Sequence, residues 1–205
     1  MTHILHIDAS PRQDRSISRT LTQEFITDWK TAHPGDTVTY RDLGHHPIPF
    51  VDEDWIAAAY SAPEQHTPAQ TQAIQLSNEL VDEFLAADRY VFGVPMYNFS
   101  IPANFKAYID QITRVGRTFA VDANGYKGLV HGKKITIITA SSGAYPHGSP
   151  GHSYDMQTPY LQLIFGFMGI TDVEFIHADS LSMGDEARDR AIATAQSAIK
   201  TAVRA

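Results

Sequence analysis

The sequence contains no cysteine among its 205 residues. Disulfides, iron–sulfur clusters, thiolate zinc sites and catalytic thiols are therefore excluded. A chain without cysteine suits the reducing cytoplasm, which is the location that we predict. Residues 1–8 lack a basic region followed by a long apolar run, so they predict a strand rather than a signal peptide.

Long apolar runs and clusters of basic residues are also lacking. No stretch approaches the ~18–20 apolar residues of a membrane-spanning helix, and the formal net charge is -7. Because phosphate backbones are bound by excess Lys and Arg, we expect no nucleic acid and no membrane among the partners. A local anion site built from backbone N–H groups stays open.

Strand-like runs alternate with helical patterns along the whole chain. Strands are predicted over residues 3–8, 37–43, 89–94, 134–140 and 172–178, and helices over 18–32, 52–60, 68–87, 102–114, 158–168 and 186–203. Residues 119–132 predict a loop or small hairpin. Thr67 and Thr158 are the expected N-caps of the third and fifth helices, each followed by Pro.

This alternation predicts one α/β domain over residues 1–205, a three-layer α/β/α sandwich with a five-stranded parallel sheet. The expected strand order is 2-1-3-4-5, with the switch point between strands 1 and 3. In such a sheet the ligand binds at the carboxyl ends of the strands. Attention therefore falls on the loops that follow Asp8, Val94 and Ala140.

The first loop, residues 9–19, leaves a strand and enters a helix with serines at Ser10, Ser16 and Ser18. Hydroxyls and free N–H groups at a helix N-terminus suit a phosphate. The loop has no glycine and no Gly-Lys-Ser/Thr ending, which favours a monophosphate over a dinucleotide or a nucleoside triphosphate. The alternative is that Ser16 or Ser18 is simply an N-cap.

The second loop, residues 95–102, reads Pro-Met-Tyr-Asn-Phe-Ser-Ile-Pro and follows the most apolar strand. Large flat side chains at a strand end could sandwich an aromatic ring system, and backbone groups of the turn could contact its polar edge. The alternative is an aromatic plug that packs on helix 102–114.

The third loop begins at Ala140 and is long and aperiodic, as functional loops often are. Ser141 and Ser142 offer hydroxyl and N–H donors, and Gly143 permits close approach of the backbone to a ligand. The alternative is an ordinary turn after a strand. Together the three loops suit one phosphate and one planar ring, which is the composition of FMN.

These residues resemble the FMN-dependent NADH-azoreductases, which are also NADH:quinone oxidoreductases of the flavodoxin-like superfamily. The resemblance extends over nearly the whole chain, and Met96-Tyr97-Asn98-Phe99 is its most specific part. It is also carried by Ser10, Ser16-Ile17-Ser18, Phe105-Lys106, Asp110, Gly128-Leu129-Val130, Gly132-Lys133-Lys134, Ser141-Ser142-Gly143, Thr158-Pro159-Tyr160-Leu161 and Gly166-Phe167-Met168-Gly169-Ile170.

The resemblance implies a flavodoxin-like fold, bound FMN, and NADH or NADPH as electron donor. It implies two-electron, ping-pong hydride transfer to quinones and aromatic azo compounds. It also implies a homodimer in which both subunits contribute side chains to each site. The chemistry would reside in the flavin, so no catalytic side chain and no metal are expected.

The family's binding residues transfer to matching positions of this chain. The resemblance implies an FMN phosphate site at Ser10, Ser16, Ile17 and Ser18, a ring site at Pro95, Met96, Tyr97, Asn98 and Phe99, and a pyrimidine site at Ser141, Ser142, Gly143 and Ala144. The substrate side would include Phe119, Val121 and Ile164, and His147 or His152 of the third loop could supply protons. Ala144 and Ser142 replace a glycine and a basic residue common in the family, which bears on substrate preference.

Two other functions remain open from the residues. A flavodoxin-type electron carrier would also be acidic, although the extra length and the long third loop favour a substrate pocket. A serine esterase is suggested by Thr139-Ala140-Ser141-Ser142-Gly143, but its elbow needs a helix directly after the serine. A metal site at His45-His46 lacks the helical His-x-x-x-His pairing that would support it.

Overall fold

The structure, a computed structural model, describes residues 1–204. Its strands are β1 His3–Asp8, β2 Thr37–Asp42, β3 Arg89–Pro95, β4 Phe119–Asp122, β5 Gly125–Gly128, β6 Lys134–Ala140 and β7 Asp172–Ala178. Its α-helices are α1 Ile17–Ala32, α2 Glu53–Ala59, α3 Pro68–Ala86, α4 Ala103–Ile112, α5 Gln157–Met168 and α6 Asp185–Ala202. Short 3-10 turns lie at Gln13–Arg15, Pro63–Gln65 and His152–Tyr154.

The main sheet has five parallel strands in the order β2-β1-β3-β6-β7. Since β6 and β7 are the fourth and fifth predicted strands, this confirms the predicted 2-1-3-4-5 topology. The remaining strands, β4 and β5, pair antiparallel and form the small hairpin that was one of the two options for residues 119–132.

The sheet is covered on both faces because its strands are apolar on both sides. On β3, Tyr90 and Phe92 point to a core shared with α3, α4 and α5. The intervening Val91 points to a second core shared with α1 and α6. This alternation follows from the two-residue period of a strand. Because the helices cover the two faces of the sheet, the loops at the carboxyl ends of the strands remain accessible to a ligand.

The ends of two helices test the capping predictions. Thr67 caps α3 as predicted: its Oγ1 accepts from the backbone N–H of Gln70 at 3.2 Å, and Gln70 Oε1 accepts from the N–H of Thr67 at 2.9 Å. The prediction for α5 was wrong, since the helix begins before Thr158. Asp155 Oδ1 accepts from the N–H groups of Gln157 and Thr158, both at 2.9 Å. A carboxylate also opposes the positive end of the helix dipole, which a hydroxyl does not.

Within the described residues, none of the helices combines the length and the apolarity that crossing a membrane requires.

Candidate functional site

The three predicted loops meet at the carboxyl edge of the sheet and enclose a cavity of about 340 Å³. Its walls contain predicted cofactor residues from every loop, namely Ser10, Ser16, Ile17, Pro95, Met96, Tyr97, Ser141 and Ser142. We call this cavity the cleft. Ser18, Asn98, Phe99, Gly143 and Ala144 lie beside it along the chain rather than in its wall.

Backbone hydrogen bonds fix the loops relative to one another. The Ala9 N–H donates to the Gly93 carbonyl at 3.0 Å, and the Met96 N–H donates to the Ala140 carbonyl at 2.8 Å. The Ser141 N–H donates to the Ala178 carbonyl at 3.0 Å. These bonds continue the ladders of the parallel sheet past the strand ends, so the walls of the cleft are set by the sheet itself.

The first loop presents free donors at the start of α1. The N–H groups of Ile17 and Ser18 have no acceptor among residues 1–204, as expected in the first turn of a helix. Ser16 Oγ accepts weakly from the Arg19 N–H at 3.4 Å and lies 3.2 Å from the buried Ser18 Oγ. Ser16 therefore caps the helix and also lines the cleft, so the two interpretations of this serine coexist.

Three arginines that the sequence did not single out lie at the cleft. Arg12 and Arg15 come from the first loop, and Arg188 comes from the first turns of α6. All three side chains are exposed. The sequence shows no basic cluster of three because Arg188 is far from Arg12 and Arg15 along the chain, but folding gathers them into a positive surface on a protein of net charge -7. This surface favours an anionic ligand.

The second loop is a tight turn with unusual backbone angles. Tyr97 and Ser100 exchange hydrogen bonds of 2.9 and 3.1 Å, and between them Asn98 and Phe99 have φ of 48° and 69°. Such angles are costly for a side chain as bulky as Phe and are typical of functional turns. The N–H groups of Asn98 and Phe99 donate to no atom of residues 1–204, which leaves both for a ligand.

The aromatic side chains of this turn are available rather than buried. Tyr97 and Phe99 are 39% and 45% exposed. The Phe99 ring stacks on Tyr154 of the third loop, with 5.2 Å between ring centroids. The alternative of an aromatic plug on α4 is therefore wrong.

The third loop is joined to the loop that follows β7. The N–H groups of Ser180, Leu181 and Ser182 donate to the carbonyls of Gly143, Ser141 and Ser142 at 3.0, 3.1 and 3.1 Å. Leu181 and Ser182 consequently line the cleft, although they are not among the residues predicted from the sequence. The signal was present, because β7 runs parallel to its neighbours and its carboxyl end must lie at the same edge.

A second cavity of about 470 Å³ adjoins the cleft and shares Met96 and Ser141 with it. Its wall contains three histidines, His147, His152 and His177. The rings of His147 and His152 lie 4.8 Å apart, and His177 Nδ1 lies 2.8 Å from Thr139 Oγ1. Burial lowers the pKa of His177. We call this space the histidine cavity.

A partly buried polar network packs against the first loop and holds it in position. Arg19 Nε donates to the Ser10 carbonyl at 2.6 Å, and the same guanidinium forms an ion pair with Asp42. Burial opposes ionisation of Asp42, but hydrogen bonds from Arg19 and His45 outweigh it and hold the pKa of Asp42 well below its ordinary value. Asp8, next to the loop, accepts from Thr22 Oγ1 at 2.8 Å. These residues position the loop without lining the cleft.

The residues expected on the substrate side lie on a different surface. Phe119 packs on Phe167 with 4.8 Å between ring centroids, and Ile164 packs against the main core. Val121 is 58% exposed. The structure thus places these three residues outside the walls of the cleft and the histidine cavity, whereas His147 lines the histidine cavity.

The arrangement disfavours the hydrolase and metal alternatives. Ser141 Oγ donates to the Gly143 carbonyl at 2.8 Å, and the residues after it form bends and turns instead of a helix. His45 Nδ1 lies 2.8 Å from Asp42, within the Arg19 network. No cluster of three or more His, Cys, Asp or Glu in residues 1–204 has the arrangement of a metal site.

Comparisons with known proteins agree on one family. A family model described as a flavodoxin-like fold matches residues 2–203. FMN-dependent NADH:quinone oxidoreductase 2 of Trichormus variabilis is 67% identical over 99% of both chains, and an FMN-dependent NADH:quinone oxidoreductase of a Nostoc species is equally identical with the same coverage. The crystal structure of an azoreductase from Bacillus anthracis has 30% identity and a TM-score of 0.92 over 99% of both chains. An FMN-dependent NADH-azoreductase from the same species, solved in complex with FMN, has 25% identity and a TM-score of 0.90 over 100% of this chain and 98% of that one.

Proposed function

This chain belongs to the flavodoxin-like FMN-dependent NADH:quinone oxidoreductases, and we propose that it binds FMN in the cleft and transfers electrons from NADH to quinones and aromatic azo compounds. Bound in the cleft, FMN would supply the hydride chemistry between the nicotinamide and the acceptor. The protein's own residues bind, orient and provide protons. The family match over residues 2–203 supports treating the whole chain as one domain.

The single observation that carries the proposal is the set of free donors on converging loops. Ile17 and Ser18 N–H groups, with the Ser10 and Ser16 hydroxyls, would hold a phosphate at the start of α1. Arg12, Arg15 and Arg188 would balance its charge. A buried or enclosed donor without an acceptor is costly, so a ligand that supplies several acceptors at once fits this site.

The second and third loops would hold the ring. Pro95, Met96, Tyr97 and the Phe99 side chain supply apolar and aromatic surface, which suits a planar tricyclic system. The free N–H groups of Asn98 and Phe99 would donate to its polar edge. The third loop, from Ser141 to Ala144, would approach the other end, where donors stabilise negative charge on the reduced ring.

Reduction of a quinone to a hydroquinone consumes one hydride and one proton. The histidine cavity shares Met96 and Ser141 with the cleft, so its side chains lie next to the proposed ring site. The imidazoles of His147 and His152 lie there 4.8 Å apart, and imidazole is the side chain most often used to pass protons in enzymes. We propose that this pair relays the proton from solvent to the reduced acceptor.

The cofactor assignment is tested by flavin content and by affinity. The purified protein should be yellow and release about one FMN per chain on denaturation. The Ser10→Ala/Ser16→Ala double variant should raise the FMN dissociation constant about tenfold or more, since a hydrogen bond to a charged group contributes roughly 1.5–3 kcal/mol. Ser197→Ala, on the exposed face of α6, is the matched control. Colourless protein that FMN does not reconstitute would refute the proposal.

The two-step exchange is tested by steady-state kinetics. If NADH and the quinone use the cleft in turn, plots of reciprocal rate against reciprocal NADH concentration, measured at several quinone concentrations, should be parallel lines. Direct oxidation of NADH by the purified protein, without a separate reductase, distinguishes the enzyme from a flavodoxin-type carrier. Rates with NADPH in the same assay settle the choice of donor. Intersecting lines would contradict alternating use of one site.

We propose that the exposed apolar surface around the β4–β5 hairpin and α5 is the interface of a homodimer. Val121, Tyr126 and Leu163 are 58%, 72% and 70% exposed there, beside Phe119 and Ile164. The expected substrate-side residues would then reach the partner's cleft. Sedimentation should give a dimer that Leu163→Glu dissociates and Gln23→Glu, with the same change in charge on α1, does not. A monomeric, fully active parent would refute the interface.

The cytoplasmic location stays a prediction that rests on the cysteine-free composition. Fractionation of the native host would test it.

A further inference from the structure

Arg114, directly after α4, is a buried cation without a carboxylate partner. Arg114 is only 9% exposed. Nη1 donates to Ser77 Oγ at 2.7 Å and to Asn78 Oδ1 at 3.3 Å, and the guanidinium carbon lies 5.6 Å from the centre of the Trp55 ring. All three contacts are to neutral groups, and no ion pair of Arg114 occurs within residues 1–204.

Several donors of this guanidinium remain unused. Nε is buried and has no hydrogen-bond partner, and Nη2 donates to no atom of the described chain. Burial, and then the nearby Arg117, lower the pKa of Arg114. A buried charge is normally paired, because removing it from water is costly unless an opposite charge or several hydrogen bonds offset the loss. The buried guanidinium of Arg114 therefore lacks the anionic partner that would complete an ion pair.

The contacts around the guanidinium fix its orientation, so the side chain does not turn toward another acceptor. Ser77 Oγ donates in turn to the Gln111 carbonyl at 2.6 Å, and Trp55 Nε1 donates to Gln111 Oε1 at 2.7 Å. The backbone N–H of Arg114 donates to Thr118 Oγ1 at 2.9 Å. Trp55 of α2 and Ser77 of α3 thus hold the guanidinium, and Thr118 holds the backbone of this residue.

Arg114 faces a cavity of about 680 Å³ between the end of α2, α3 and the segment after α4. Arg117, His66 and Asn78 also line it, and its one lining carboxylate, Asp82, is paired with Arg117. The cavity shares no lining residue with the cleft. We propose that this cavity is a second, independent binding site, which takes an oxyanion (sulfate, phosphate or a carboxylate) against the guanidinium of Arg114. Nη2, which donates to no atom of the described chain and is not enclosed as Nε is, would donate to an oxygen of such a ligand.

The test uses the FMN-loaded protein, so that an anion cannot report on an empty phosphate site. Melting temperature is measured against sodium sulfate in the low millimolar range, with sodium chloride at matched ionic strength. Sulfate should produce a saturable rise of about 5–10 °C at about a hundredfold excess over its Kd. General salting effects do not saturate at these concentrations.

The decisive variant is Asn78→Asp, which places a carboxylate where Asn78 Oδ1 now meets Nη1 and so completes the ion pair internally. It should raise the melting temperature without sulfate by about 2–4 °C and abolish the saturable response. Asn124→Asp, at the exposed turn of the β4–β5 hairpin, makes the same change in charge and should keep the response. A wild type indifferent to sulfate, or an Asn78→Asp variant that responds equally, would overturn the proposal.

Discussion

Gly44, two residues after β2, offers a test of how the first loop is positioned. A Cβ added there would lie 2.2 Å from the Ser10 carbonyl oxygen and 2.6 Å from Arg19 Nη2. Ordinary contacts begin near 3.4 Å, so the Ser10 backbone must move by about 1 Å. Gly44→Ala therefore displaces the loop that we propose holds the FMN phosphate, without touching any group that would contact it.

The size of the effect follows from two terms. Overpacking against a fixed backbone costs about 1–3 kcal/mol of unfolding free energy. Loss of one hydrogen bond from Ser10 to a charged phosphate costs roughly 1.5–3 kcal/mol of binding free energy, a rise in the FMN dissociation constant of roughly 10- to 150-fold.

Titration of the apoprotein with FMN, followed by flavin fluorescence, measures the affinity, and thermal melting measures the stability. Gly35→Ala is the control, because its Cβ would meet only Met1 Cγ, at 3.9 Å. If Gly44→Ala bound FMN as tightly as Gly35→Ala, the position of the Ser10 backbone would be irrelevant to the cofactor, and the phosphate assignment would fail.

Three further predictions concern the supporting residues. Asp155→Ala should lower the unfolding free energy by about 1 kcal/mol, because it removes the cap of α5, whereas Thr158→Ala should change it little; chemical denaturation compares the two. Asp42→Asn should cost about 1–3 kcal/mol at neutral pH through loss of the ion pair with Arg19. The pKa of folded Asp42 lies below its ordinary value, so the loss of unfolding free energy should be complete at pH 7 and should shrink as the pH falls below about 4. A loss that does not depend on pH would contradict the charge argument. Arg19→Met should weaken FMN binding and leave the KM for quinone unchanged, and a change in KM alone would assign Arg19 to the substrate instead.

Local sequence patterns were sufficient to predict most of the fold. The alternation of β-branched runs with helical periodicity predicted all five sheet strands, and β1, β6 and β7 have the predicted bounds. This alternation is typical of a doubly wound parallel sheet, from which the strand order and the position of the three loops followed. The Met96–Phe99 run was visible because apolar residues at a strand end are hard to explain as solvent-exposed filler.

Tertiary structure alone decided which distant groups meet. Arg12 and Arg188 are 176 positions apart in the chain and line one cleft, and Arg114, which follows α4, donates to Ser77 of α3. The free N–H groups of Asn98 and Phe99 depended on positive φ angles that nothing in their residue types demands. Periodicity is a property of neighbours in the chain, whereas charge balance and hydrogen-bond satisfaction are properties of neighbours in space, and only packing brings those neighbours together.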